Sequence, residues 1–181
     1  MRVISGIARG RVLKALEGDE TRPTTDKVKE SVFNIIQFDI EGSRVLDLFS
    51  GSGQLAIEAV SRGAKSAVAV ESSRRAAEII KENIKRCGFE DLITIHRGDF
   101  SEVLTKSAKY DVIFLDPPYS SNLMSKALET IYLFDILSNH GIIVCETESS
   151  SAVLEAASDV YSYREYKYGR VKLTVIRKTE V

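Results

Sequence analysis

Cysteine, histidine and proline are scarce in this chain of 181 residues, and tryptophan is missing altogether. Cys87 and Cys145 lie far apart with no Cys-x-x-Cys pair, and the only histidines are His96 and His140. That supply excludes a zinc site and a disulfide scaffold and suits a reducing compartment, so no metal is expected. No apolar run approaches the ~18 residues of a membrane span, and the first residues lack the apolar core of a signal peptide. A soluble, cytoplasmic chain without a membrane partner is the expectation. A dominant charge is missing too: 25 Lys and Arg against 26 Asp and Glu leave a net charge of −1. Binding nucleic acid through bulk charge is thereby disfavoured, although a local basic face is compatible with it. Repeats and low-complexity tracts are also lacking.

What is present is globular composition, 44% hydrophobic and 28% charged, in a length that suits one domain with one real core. From residue 43 onward, short apolar runs alternate with helical patterns. Val45–Phe49, Ala67–Val70, Val112–Leu115 and Ile142–Cys145 read as strands, and Leu92–His96 alternates like one. Between them, Leu55–Arg62, Arg74–Cys87 and a stretch from about Met124 to Leu137 read as helices, the first two closed by Gly63 and Gly88. Strands apolar on both sides and separated by helices indicate βαβ units and a parallel sheet. Tyr161–Tyr168 and Val171–Arg177, split by Gly169-Arg170, predict a terminal antiparallel hairpin. Residues 1–14 form a basic, glycine-punctuated, β-like stretch. Residues 24–38 read as a helix with Thr24 or Thr25 as its N-cap. We expect an N-terminal β/α appendage over 1–42 and an α/β sheet domain over 43–181.

The chemistry concentrates at strand ends. Asp47-Leu48-Phe49-Ser50-Gly51-Ser52-Gly53 lies between a strand and a helix, where glycines let backbone N–H groups approach a ligand at a helix N-terminus. With Ala56 this loop fits the dinucleotide pattern, and Glu71, 18 residues after Gly53, is placed to accept from two ribose hydroxyls. These features alone suit NAD as well as another nucleoside cofactor. Asp47 tips the balance, because its charge would repel a pyrophosphate and suits a cationic ligand such as the amino group of S-adenosylmethionine. Asp99, in Arg97-Gly98-Asp99-Phe100, is placed to meet an adenine amino group at the same crevice. A plain loop cap is the bland alternative for each aspartate.

The run Val112–Leu115 ends in Asp116-Pro117-Pro118-Tyr119. Two prolines stiffen the turn and withdraw two N–H donors, leaving carbonyls able to accept from a ligand. Asp116 adds an acceptor and Tyr119 an aromatic face. Two converging acceptors beside a flat ring suit the exocyclic amine of a nucleobase, with stacking worth about 1–3 kcal/mol. A Pro-rich turn without chemistry is the bland alternative.

With these motifs the chain resembles the amino-directed, S-adenosylmethionine-dependent methyltransferases, whose fourth motif is (Asp/Asn)-Pro-Pro-(Tyr/Phe). Arg22-Pro23-Thr24-Thr25-Asp26-Lys27-Val28-Lys29-Glu30, followed by Phe33-Asn34, is similar to the N-terminal signature of the RsmD family, bacterial 16S rRNA guanine-N2 methyltransferases. The basic opening and the Tyr168-Gly169 hairpin also match. The resemblance implies a Rossmann-like seven-stranded methyltransferase sheet and methyl transfer from S-adenosyl-L-methionine to guanine N2 in 16S rRNA. It implies that Asp47, Phe49, Gly51 and Gly53 line the methionine end of the cofactor. Glu71 would hold the ribose, Ser72 lie beside the adenine, and Asp99 and Phe100 meet its edge. Asp116, Pro117 and Tyr119 map onto the target-base motif, and Arg22 and Thr24 close the pocket.

The basic segment suggests phosphate contacts through Arg2, Arg9, Arg11 and Lys14, with the hairpin cations Arg164, Lys167, Arg170 and Lys172 a weaker set. A near-zero net charge favours an assembled or assembling small ribosomal subunit as partner over free RNA. A monomer is the default. A DNA adenine-N6 methyltransferase would share the tetrad, but the chain leaves no room for a separate DNA-recognition domain. An NAD-dependent oxidoreductase is opposed by Asp47 and by the lack of an evident hydride-site acid or base. A non-catalytic RNA-binding module would not need Asp116.

Overall fold

The central strands read apolar without a break because the sheet is covered on both faces. Successive residues of Val112-Ile113-Phe114-Leu115 enter opposite layers: Val112 and Phe114 join one buried cluster, Ile113 and Leu115 the other. Ile142-Ile143-Val144-Cys145 divides in the same way. This period of two at every apolar position is what a strand between two helical layers requires.

The computed structural model describes residues 1–16, 26–104, 109–118, 122–150 and 161–178. In chain order α1 (Asp26–Ile35) and β1 (Arg44–Asp47) are followed by α2 (Gln54–Ser61), β2 (Ser66–Glu71), α3 (Arg74–Cys87) and β3 (Ile93–Arg97). Then come α4 (Phe100–Leu104), β4 (Tyr110–Leu115), α5 (Leu123–Leu133), β5 (Leu137–Glu148), β6 (Tyr161–Tyr168) and β7 (Val171–Lys178). Seven strands form one sheet in the order β3-β2-β1-β4-β5-β7-β6. The first five in that order pair in parallel, and β7 lies antiparallel between β5 and β6. Helices α1, α2 and α3 cover one face; α4 and α5 cover the other. The parallel sheet and the closing hairpin are as the sequence indicates.

Three local expectations are corrected. The helix read as Met124–Leu137 ends at Leu133, and Leu137 already belongs to β5. No glycine or proline marks this stop. Asp135 takes the left-handed conformation (φ 49°) usually left to glycine. The Ile136 N–H closes onto the Ile131 carbonyl, and Asp135 is ion-paired to Lys109 and Lys178. Secondly, α4 was not legible as a helix, being only five residues long. Thirdly, the β-like opening contains only an isolated antiparallel bridge, Arg2 to Val12, and no named strand. The N-cap expected at Thr24 or Thr25 lies outside the described residues.

Residues 1–14 close on themselves through the Val3 N–H to Arg11, Gly10 N–H to Val3 and Leu13 N–H to Met1 carbonyl bonds, and hydrogen bonds to α1, α2 and α3 hold them in place. Glu58, fully buried in α2, accepts from the Ile4 and Ser5 N–H groups at 2.8 and 3.0 Å. Ser61 Oγ accepts from the Ala8 N–H and donates to the Ser5 carbonyl, while its own carbonyl accepts from the Ile7 N–H. Gly6 is required there: its φ is +82°, and a Cβ would lie 1.7 Å from the Ser61 carbonyl oxygen. Lys29, buried in α1, donates to the Arg2 carbonyl at 2.6 Å and sits 3.6 Å from Glu58. Burial lowers the Lys29 pKa, against which the Glu58 and Asp26 charges raise it. Arg62 bonds Glu58 at 2.8 Å and lies 4.8 Å above the Phe33 ring. Val3, Ala8 and Leu13 then complete the same apolar cluster as α1, α2 and α3.

Candidate active site

In a parallel sheet the crevice forms beyond the carboxyl ends of the strands, where the strand order reverses. Here the reversal falls at β1, which lies between β2 and β4. Asp47 closes β1, opposite Ala69 of β2 and Phe114 of β4. Asp116 therefore follows two residues beyond Asp47's own register partner, on a neighbouring strand about 4.8 Å away.

The β1–α2 loop is folded by its own backbone. Ser50 Oγ donates to the Asp47 carbonyl, the Ser50 N–H to the Val70 carbonyl, and the Gly53 N–H to the Ser50 carbonyl. Gly53 caps α2 at φ 79°, with Ile80 Cγ2 3.0 Å from where a Cβ would stand. A side chain there would be both strained and crowded. The Gly51 N–H donates to Glu71 Oε2 at 2.9 Å, and the Ser73 N–H donates to Glu71 Oε1 at 2.8 Å. Glu71 thus bridges the glycine loop and the β2–α3 turn. Each of its oxygens keeps a second lone pair.

Asp47 is 1% exposed, and neither carboxylate oxygen accepts a well-formed hydrogen bond. Burial pushes its pKa up to about 7; Ser50 and the Ala56 and Phe49 N–H groups offset this in part, and Glu71 adds to it. A buried, unsatisfied carboxylate is costly. An ammonium group brought against it would satisfy both oxygens, so the residues fit the amino acid end of S-adenosylmethionine.

Asp99, exposed at the end of β3, already has a task. Its Oδ1 accepts from the Ser101 N–H at 2.9 Å and Ser101 Oγ at 2.6 Å, capping α4, and these bonds lower its pKa. Phe100 is buried, with its ring centroid 5.4 Å from that of Phe49. Ser72 is exposed beside Glu71, Asp116 is half-buried, and Pro117 is buried. The fold therefore gathers Asp47, Phe49, Gly51, Gly53, Glu71, Ser72, Asp99, Phe100, Asp116 and Pro117 along one edge of the sheet. Tyr119, Arg22 and Thr24 lie outside the described residues.

Arg2, Arg9, Arg11 and Lys14 are exposed on the segment docked against α2 and α3. Arg2 is 3.9 Å from Asp26, and Lys14 Nζ is 3.0 Å from Glu82. In the terminal hairpin Lys172 is buried and paired with Glu165 at 2.8 Å, which removes it from the exposed cations. Asn83 was missed by sequence reasoning although it bonds the glycine loop through the Ser52 carbonyl. Its signal was a polar residue on the apolar stripe Ile79, Ile80, Ile84. Among the described residues no cluster of three or more metal-ligating side chains occurs, and no helix is long and apolar enough to cross a membrane.

A seven-stranded sheet of this order, with a glycine loop after β1 and Asp-Pro-Pro after β4, defines a Rossmann-like methyltransferase. A solved Escherichia coli structure, yhhF, superposes with a TM-score of 0.88 at 28% identity, covering 99% of this chain and 98% of that one. The YlbH protein of Bacillus subtilis is 40% identical over 98% of this chain and 99% of its own length. Ribosomal RNA small subunit methyltransferase D of Haemophilus influenzae is 34% identical over 92% of this chain and 93% of its own. The family model described as "Conserved hypothetical protein 95" matches residues 1–177. The chain belongs to that family, the RsmD-type methyltransferases, and its cofactor is S-adenosylmethionine.

Proposed function

We propose that this chain transfers a methyl group from S-adenosylmethionine to the exocyclic N2 amine of a guanine in 16S rRNA of the small ribosomal subunit. One observation carries the reading: an orphaned buried carboxylate, Asp47, ends the strand next to β4, which runs directly into Asp116-Pro117-Pro118. The first suits the cofactor's ammonium and the second a base amine. The choice of rRNA is supported by the relative named ribosomal RNA small subunit methyltransferase D. In this reading residues 1–42 serve the substrate side and 43–181 form the methyltransferase domain, working as a cytoplasmic monomer.

The cofactor supplies a methyl group already activated on a positively charged sulfur. Asp47, Phe49, Gly51 and Gly53 hold its amino acid end. Glu71 accepts from the ribose hydroxyls with the lone pairs not used by Gly51 and Ser73. Ser72, Asp99 Oδ2 and Phe100 surround the adenine, and Arg22 and Thr24 close the pocket. The difficulty lies in the nucleophile, whose lone pair is delocalised into the base. Accepting its two N–H bonds at Asp116 Oδ and the Pro117 carbonyl favours a more pyramidal nitrogen and directs the lone pair outward. Positioning for in-line displacement supplies several kcal/mol more. The nitrogen becomes acidic once methylated, and Asp116 takes its proton then. Tyr119 stacks on a base withdrawn from any helix. Arg2, Arg9, Arg11 and Lys14 contact phosphates.

The test offers methyl-labelled S-adenosylmethionine with free 16S rRNA, small subunits lacking the modification, and duplex DNA, and identifies the labelled nucleoside. N2-methylguanosine in the small-subunit rRNA is expected. N6-methyladenosine, or label in DNA alone, would transfer the reading to the adenine-directed enzymes.

A further inference from the structure

Asn83 lies on the inward face of α3 and is fully buried, beside Ile79, Ile80 and Ile84. A primary amide offers one acceptor oxygen and two N–H donors. Oδ1 accepts from the Lys14 N–H at 2.7 Å. Nδ2 donates to the Lys14 carbonyl at 3.0 Å and to the Ser52 carbonyl at 2.9 Å. One side chain therefore joins α3, the last residue of the basic opening segment, and the loop between Gly51 and Gly53. At the other end of that segment Ser52 Oγ donates to Met1 Sδ at 3.4 Å. Both ends of residues 1–14 reach the same loop residue, while Glu58 and Ser61 pin the middle.

An apolar residue would suit the isoleucine stripe of α3 better than asparagine, and it would take the side-chain partner from three backbone groups, the Lys14 N–H and carbonyl and the buried Ser52 carbonyl. Asparagine at this position serves the junction. We infer that Asn83 is a positioning residue that couples the RNA-facing segment to the cofactor loop, so that RNA and cofactor strengthen each other's binding. A load taken up by the exposed Arg9 and Arg11 is passed through the Lys14 backbone and Asn83 to the Ser52 carbonyl, which lies between the two cofactor-loop glycines. Linkage requires the effect to be mutual, with typical couplings of ~5–150-fold. The inference rests on the proposed reading of the segment as RNA-contacting and of the loop as the cofactor's cradle.

The experiment measures the Kd of S-adenosylhomocysteine for the whole protein by equilibrium dialysis, with and without saturating small ribosomal subunits that lack the modification. Wild type is expected to bind at least ~5-fold more tightly when the subunit is present. Asn83→Asp keeps an oxygen for the Lys14 N–H but loses both donors, and Asn83→Ala loses all three bonds. In both, the ratio should fall close to one while each ligand is still bound separately. A purely structural asparagine would lower the Tm of the variants and leave the ratio at its wild-type value, which would overturn the inference. A measurement on unaltered protein decides the matter if the variants do not fold. Exchange of the Lys14 amide hydrogen should slow when S-adenosylhomocysteine is added, and an unchanged rate would refute the coupling. If wild type methylates the subunit but its ratio is one, the coupling alone is wrong. If no rRNA is methylated, the substrate reading fails and the coupling with it.

Discussion

Replacing Asp47 by asparagine should move the fold and the cofactor affinity in opposite directions. Burial raises the Asp47 pKa to about 7 from its ordinary 3.8. In the unfolded chain the carboxyl titrates near 3.9, so from about pH 4 to pH 7 the folded state keeps a proton that the unfolded state has released. The stability of the ligand-free protein therefore falls as pH rises through that window. A separation of about three units at 1.36 kcal/mol each corresponds to about 4 kcal/mol, the ceiling on what Asp47→Asn returns to the ligand-free fold at pH 8. At roughly 2–4 °C per kcal/mol for a chain of this size, half of that raises Tm by about 4–8 °C. Near pH 4 variant and wild type should converge.

Cofactor binding should go the other way. Losing a hydrogen-bonded charge partner costs about 1.5–3 kcal/mol, or roughly 10–150-fold in Kd. The wild-type carboxyl must surrender its proton to meet an ammonium, so its affinity should improve by up to about tenfold per pH unit towards 7 and then level off. The variant should lack that slope. The assays are thermal unfolding from pH 4 to 8 without ligand and calorimetric titration with S-adenosylhomocysteine at pH 5.5, 6.5 and 7.5. A variant less stable than wild type at pH 8, or a wild-type affinity flat from pH 5.5 to 7.5, would refute the reasoning from an orphaned carboxylate.

The other expectations address different parts of the molecule. Asp116→Ala removes one of two acceptors for the target amine, so turnover should fall at least ~10²-fold while S-adenosylhomocysteine binding persists; full turnover in folded protein would reduce the tetrad to a turn. Tyr119→Ala should lose the ~1–3 kcal/mol of base stacking, seen as weaker substrate binding, whereas Tyr119→Phe keeps the ring and should be nearly silent. Equal damage from both would assign the work to the hydroxyl. Neutralising Arg9 and Arg11 together should weaken subunit binding and flatten its salt dependence, as read from binding at several salt concentrations, without altering cofactor affinity in the absence of the subunit. Gly6→Ala forces a Cβ onto the Ser61 carbonyl and should lower Tm, with faster hydrogen exchange at the Ile7 and Ala8 amides.

The sheet was legible because its physics is local. Parallel strands buried on both faces must be apolar at every position, and α3 carries its own punctuation in Ser73, whose side chain accepts from the Ala76 N–H, and in Gly88, left-handed at its end. Cofactor candidates were legible for a related reason: glycines and carboxylates at strand ends stand where a parallel sheet opens its crevice. The end of α5 was hidden because its stop depends on Asp135 adopting φ 49° beside Lys109 and Lys178, which reach it from β-strand neighbours far along the chain. Asp99 shows a different limit. The same carboxylate reads as a loop cap or as a ligand for adenine, and the fold commits one of its oxygens to the cap through Ser101.

Buried polar residues were the least legible part, and they hold the basic segment in place. Glu58 sits among Leu55, Ala56, Ile57, Ala59 and Val60, and Asn83 among isoleucines. A carboxylate or amide at such positions is costly unless partners are supplied. Those partners include Ile4 and Ser5 for Glu58 and Lys14 for Asn83, each more than fifty residues away along the chain. A periodicity reading sees only the anomaly, a polar residue on an apolar stripe, and that anomaly has a definite physical meaning. Something with unpaired backbone N–H and C=O groups must dock there. What docks is residues 1–14, a stretch that reads as β-like in sequence and forms only an isolated bridge of its own. The polar residues of α2 and α3 thus specify where the N-terminal cations stand relative to the glycine loop, a spacing that neither segment encodes alone.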